Sequence, residues 1–111
     1  MIYIGTDSVV QKDRTKYVTI VFQLPEGRLD KTIKYMPHMT NSERLHVEAA
    51  LTLDKWAELG YPEPCELHFD YNTNPKHKSY KHYLAYRGQP HAKFKPNSWI
   101  ASHVADYFAN H

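Results

Sequence analysis

The chain has 111 residues, 41% hydrophobic and 23% charged, the composition of one ordinary globular domain spanning residues 1–111. No apolar run approaches the ~18 residues a membrane-spanning helix needs, so no membrane segment is expected. The net charge of +2 excludes a strongly acidic or basic chain, yet its distribution is uneven.

Ile2 to Asp7 reads as a short apolar strand ending in Gly5-Thr6-Asp7. No basic segment precedes it, so no secretory signal is expected. Lys16 to Leu24 alternates, with Val18, Ile20, Phe22 and Leu24 on one side, as a strand with one buried face does. Pro25-Glu26-Gly27 is a turn. Leu29 to Met36 alternates again, and Lys31 and Lys34 mark it as a half-exposed edge strand. These segments predict an antiparallel meander of three strands.

Thr40 followed by Glu43 is a capping box opening a helix. Leu45, Ala49, Leu53 and Trp56 repeat at helical spacing, and Gly60 ends the run. Cys65, Leu67 and Phe69 alternate in a fourth strand that ends at Asp70. Cys65 is the only cysteine, so no internal disulfide can form; this suits a core residue in a reducing cytoplasm. Asn72-Thr73-Asn74-Pro75 is a loop, and Lys76 to Arg87 predicts a tyrosine-rich helix stopped by Gly88 and Pro90. Ala92 to Lys95 is a short fifth strand. Pro96-Asn97-Ser98 opens a last helix with Ile100, Val104 and Phe108 on one stripe.

The β-β-β-α-β-α-β-α order predicts an α/β fold. Its five-stranded mixed sheet has strand order 3-2-1-4-5 and helices on both faces, consistent with right-handed crossovers. The first and fourth strands are then parallel neighbours. Asp7 and Asp70 project from the same end, and the flanking helices can bring Glu48 and Asp106 there. Four converging carboxylates are costly unless a cation neutralises them. An all-oxygen, highly charged donor set suits Mg²⁺ or Mn²⁺ rather than zinc. Taken singly, each acid has a plain alternative as a turn cap or a solvated helix residue.

Three stretches resemble the YkuK-type family within the ribonuclease H-like superfamily. They are Ile4-Gly5-Thr6-Asp7-Ser8, the run from Leu67 to Ser79 through Asp70 and Asn74, and Lys93 to Trp99 continuing to Ser102-His103-Val104-Ala105-Asp106. The resemblance covers nearly the whole chain. It implies a two-metal nuclease hydrolysing nucleic-acid phosphodiester bonds, with Asp7, Glu48, Asp70 and Asp106 as the metal-holding residues. A catalytically silent nucleic-acid-binding module or complex subunit on the same fold is the alternative. Members of the superfamily act on RNA, DNA, hybrids and junctions, so the substrate stays open, as does self-association. His103 lies three residues before Asp106 and is a candidate metal ligand or water-orienting group, or a packing residue.

Between Asp70 and Asp106 there is no acid. Lys76, Lys78, Lys81, Arg87, Lys93 and Lys95 fall there, interleaved with Tyr80, Tyr83 and Tyr86. Cations beside aromatic plates are what a phosphate backbone and unstacked bases require. Asn72, Asn74, Lys76, Lys78, Lys81, Arg87 and Lys95 are the candidate nucleic-acid contacts. A solvated basic face and ordinary turn chemistry are the competing readings. Thr6 and Ser8 are expected to orient Asp7 by hydrogen bonding.

Overall fold

The computed structural model covers residues 1–111. Its strands are β1 (Ile2–Val10), β2 (Thr15–Gln23), β3 (Arg28–Met36), β4 (Cys65–His68) and β5 (Ala92–Lys93). They form one sheet of order β3-β2-β1-β4-β5. β1, β2 and β3 pair antiparallel, while β4 is parallel to β1 and β5 parallel to β4. The helices are α1 (Asn41–Glu58), α2 (Tyr80–Tyr86), a π-wound segment (Ile100–Ala105) and α3 (Asp106–Ala109), which continues directly from it.

The sheet is covered on both faces, so its central strands are apolar on both sides. On one face Ile4, Val21, Cys65, Leu67, Phe69 and Tyr71 form a core with Ala49 of α1; Leu45, Leu53 and Trp56 of α1 and Tyr83 and Tyr86 of α2 pack against it. On the other face Val18 and Ile20 meet Ile100, Ala105 and Ala109, with Tyr3, Phe22 and Trp99 packed around them. β1 and the last helix approach closely because Gly5 has no side chain. A Cβ there would stand 2.8 Å from Ile100 Cγ2 and 2.9 Å from the Ala101 nitrogen.

α1 begins as its sequence dictates: Thr40 Oγ1 accepts the Glu43 N–H and the Glu43 side chain returns to Thr40. Gly60, at φ +84°, takes the left-handed conformation that lets the chain leave the helix. His68, fully buried in β4, fixes the last helix. Its Nδ1 accepts the Ile100 N–H at 3.0 Å, and its Nε2–H donates to Glu66 at 2.9 Å. Burial therefore holds the ring neutral, with its pKa lowered.

Several boundaries differ from the sequence expectation. β1 continues to Val10, so Asp7 lies inside the strand rather than at its end. α2 is confined to Tyr80–Tyr86 and does not start at Lys76. Side-chain bonds win over helix in that stretch: Asn72 Oδ1 accepts the Asn74 N–H, Asn74 Oδ1 accepts the Lys76 N–H, and Ser79 Oγ accepts the Asn72 N–H. β5 ends at Lys93, although the Lys95 N–H still donates to the Tyr71 carbonyl. Leu24, expected on the buried side of β2, lies just past the strand and is exposed. β3 is exposed along almost all of its length rather than on one side.

Candidate active site

The site arises from unequal strand lengths. β1 has nine residues and β4 four, and their register runs from Ile2 opposite Cys65 to Gly5 opposite His68. β4 then stops while β1 continues. Carrying the register forward brings Asp70 level with Asp7, at the carboxyl end of β4. On its other side Asp7 stays locked in the ladder opposite Val18 of β2. The crevice beyond a strand's carboxyl end is where α/β sheets place their ligand sites.

Asp7 is only 8% exposed, and one carboxylate oxygen accepts the Ser8 N–H at 2.8 Å. Burial raises its pKa most, followed by the charge of Glu48 and the neighbouring Asp106 carboxyl. The Ser8 amide opposes these effects, and the charge of Asp70 adds to them, so that the carboxyl is pushed up to about 9. Each of the other three acids singled out from the sequence therefore acts on Asp7.

Glu48 is buried on the inner face of α1. Ser8 Oγ donates to its Oε2 at 2.5 Å, and Arg44, one turn earlier, lies 3.5 Å from the same oxygen. Arg44 also donates to Ser8 Oγ at 2.7 Å and to Asn41 Oδ1 at 2.6 Å. Burial pushes the Glu48 carboxyl up to about 7 against the lowering effects of Ser8 and Arg44. Asp70 accepts from Ser102 Oγ at 2.7 Å, and Lys95 Nζ stands 3.3 Å from the same oxygen. Asp106 is exposed at the start of α3, where its Oδ1 also accepts from Asn110 at 3.1 Å.

Beside Asp70 an open cleft of about 530 Å³ is lined by Asn72, Thr73, Lys95, Pro96, Ser102 and His103. Asn72, Lys95 and His103 are thus gathered around Asp70. The other basic candidates are not in this cleft. Lys78 and Lys81 line a separate hollow with Asn41, Ser42, Leu45 and His82, at the start of α1. Lys76 and Arg87 are exposed outside both hollows, and Asn74 is spent on its turn. The interleaved tyrosines are mostly not exposed plates. Tyr83 and Tyr86 pack on the core, and the Tyr86 hydroxyl is hydrogen-bonded to His46. Thr6 bonds Thr19 and Thr52 instead of orienting Asp7, while Ser8 serves both Asp7 and Glu48.

No group of three or more His, Cys, Asp or Glu side chains already stands at metal-holding spacing. The donor chemistry nevertheless fits a hard divalent cation. The donors are carboxylate oxygens, and the buried Asp7 makes no ion pair with a lysine or arginine. Three contributors were missed from the sequence. Arg44 was legible as a cation four residues before Glu48 on one helix face. Ser102 lies in the last of the family-like stretches. His68 gave no local signal, because its role depends on the approach of the last helix.

No curated protein and no solved structure matches the chain. A sequence model for the family described as Ribonuclease H-like matches residues 1–110. With the strand order and the site at the carboxyl end of β4, that match shows that the chain belongs to the ribonuclease H-like family.

Proposed function

We propose that the chain is a metal-dependent nuclease that hydrolyses nucleic-acid phosphodiester bonds. The observation that carries this reading is the convergence of Glu48, Asp70 and Asp106 on the buried Asp7, whose carboxyl is pushed up to about 9. A carboxylate buried and crowded in this way is kept where a cation is meant to relieve it. Asp7, Glu48, Asp70 and Asp106 would hold Mg²⁺ or Mn²⁺, with His103 on the cleft wall as an additional ligand or water-orienting group. Bound there, two such ions supply the positive charge that polarises a phosphate, activates water and stabilises the leaving oxygen.

The protein's own groups do the rest. Ser8 and Arg44 aim Glu48, and Ser102 aims Asp70. Lys95 and Asn72 sit on the cleft where phosphate oxygens would lie. Lys76, Lys78, Lys81 and Arg87 extend the positive surface away from it and would grip the backbone without reading sequence. The test is cleavage of single strands, duplexes, hybrids and four-way junctions of RNA and DNA with Mg²⁺ and with Mn²⁺, alongside calorimetry for the ions. Asp70→Asn is expected to lower the rate at least about a hundredfold, since losing a central ligand removes several kcal/mol. Cleavage of no substrate together with no metal binding would overturn the reading in favour of a silent binding module.

A further inference from the structure

β3 is the outer strand of the sheet, and every residue from Arg28 to Tyr35 is exposed. It pairs with β2 over nine residues without a bulge and contains no proline. Its other edge offers an unbroken row of N–H and C=O groups, which soluble proteins usually block. Leu29 and Ile33 lie opposite Phe22 and Val18, so with Tyr35 they share the sheet face that carries the last helix. They are 39%, 40% and 45% exposed, an apolar stripe beside an open edge.

The charges on this strand complement a second copy of itself. When two β3 strands run antiparallel with full overlap of Arg28–Met36, the two-fold axis passes through Thr32. Asp30 then faces the partner's Lys34, and Leu29 faces the partner's Tyr35, each pair occurring twice by symmetry. Moving the axis to Lys31 would set Lys31 against its own copy and Arg28 against Lys34. Moving it to Ile33 would place Asp30 opposite Met36 and lose both ion pairs. Lys34, which would otherwise guard the edge, makes no ion pair within its own chain. Lys31 leans inward over the Phe108 ring, 4.6 Å from its centre. Asp30 has only an exposed contact with Arg28 at 3.4 Å.

We propose that the chain forms a two-fold symmetric dimer through β3–β3 pairing, joining the two sheets into one. Asp70 and Lys95 lie toward the β4–β5 side, so the dimer leaves the cleft open. The two β1 strands then run in opposite directions, and the two clefts face opposite ends of the joined sheet.

Sedimentation equilibrium from micromolar to millimolar concentration tests this on the full chain, with circular dichroism to verify folding. The wild type is expected as a dimer. Asp30→Lys or Lys34→Asp alone sets like charges opposite each other twice, which should weaken association at least about tenfold. The double variant restores opposite charges and should return within about threefold of wild type. If a reversal disturbs folding, Asp30→Asn and Lys34→Gln remove the pair without repulsion and should each weaken association about threefold. A wild type that stays monomeric throughout overturns the proposal. So does a dimer indifferent to the single changes, or a double variant as weak as either single one.

Discussion

Asp7→Asn separates charge from shape at the centre of the site. The amide keeps the side chain's shape and an oxygen to accept the Ser8 N–H. What it removes is an acid raised from 3.8 to about 9 by folding. An acid of raised pKa destabilises the folded state above its unfolded pKa. The penalty is absent below pH 3.8, grows by about 1.4 kcal/mol per pH unit, and levels off near pH 9. At pH 7 the full penalty would be about 4 kcal/mol. Glu48 titrates in the same cluster and shares that burden, so we expect Asp7→Asn to stabilise the metal-free protein by about 2 kcal/mol or more at pH 7. The assay is denaturant unfolding of both proteins from pH 4 to pH 9, with a chelator and then with Mg²⁺. The advantage of the variant should be small at pH 4 and grow with pH. Mg²⁺ should stabilise the wild type and leave the variant unchanged. Cleavage by the variant should fall at least about a hundredfold. A variant that is less stable at every pH, by a constant amount, would refute the account of Asp7 as a carboxylate held against burial and its neighbours' charge.

Arg44→Met should destabilise the protein by about 2 kcal/mol at pH 8, because it leaves Glu48 buried beside Asp7 without a cation. The loss should shrink toward pH 5, where Glu48 is protonated, and pH-dependent unfolding measures it. Gly5→Ala should cost about 2 kcal/mol or more by pressing a methyl group into Ile100 and the Ala101 backbone, seen as a lower melting temperature. Replacing Lys78, Lys81 and Arg87 together by alanine should weaken nucleic-acid binding and flatten its salt dependence by about one unit of slope for each phosphate that is no longer neutralised. Unchanged affinity and slope would return that surface to a solvated face.

Local patterning in the chain was enough to establish the strand order, the two-sided burial of the sheet, the Thr40–Glu43 cap and the Gly60 stop. These depend on the spacing of apolar residues and on turn chemistry, which act over a few positions. The same patterning set Asp7 and Asp70 beside one another on adjacent parallel strands, and the register of β1 with β4 agrees, although β1 runs on past Asp7 to Val10. It overestimated α2, because bonds from Asn72, Asn74 and Ser79 hold the segment before Tyr80 in turns. It also misjudged the tyrosines, since periodicity does not say which side of a short helix meets the sheet.

Tertiary structure decided how the acids are compensated, except that Arg44 stands one turn before Glu48 on the same helix. Arg44 and Ser8 come from different elements to hold Glu48, while Lys95 and Ser102 do the same for Asp70. Asp7, on the face of β1 that Gly5 turns toward the last helix, makes no ion pair with any lysine or arginine. A pKa is set by what surrounds a group in three dimensions, at distances of a few ångströms. The partners here lie as far apart in the chain as Ser8 and Glu48, or Asp70 and Ser102, so no window of sequence contains them.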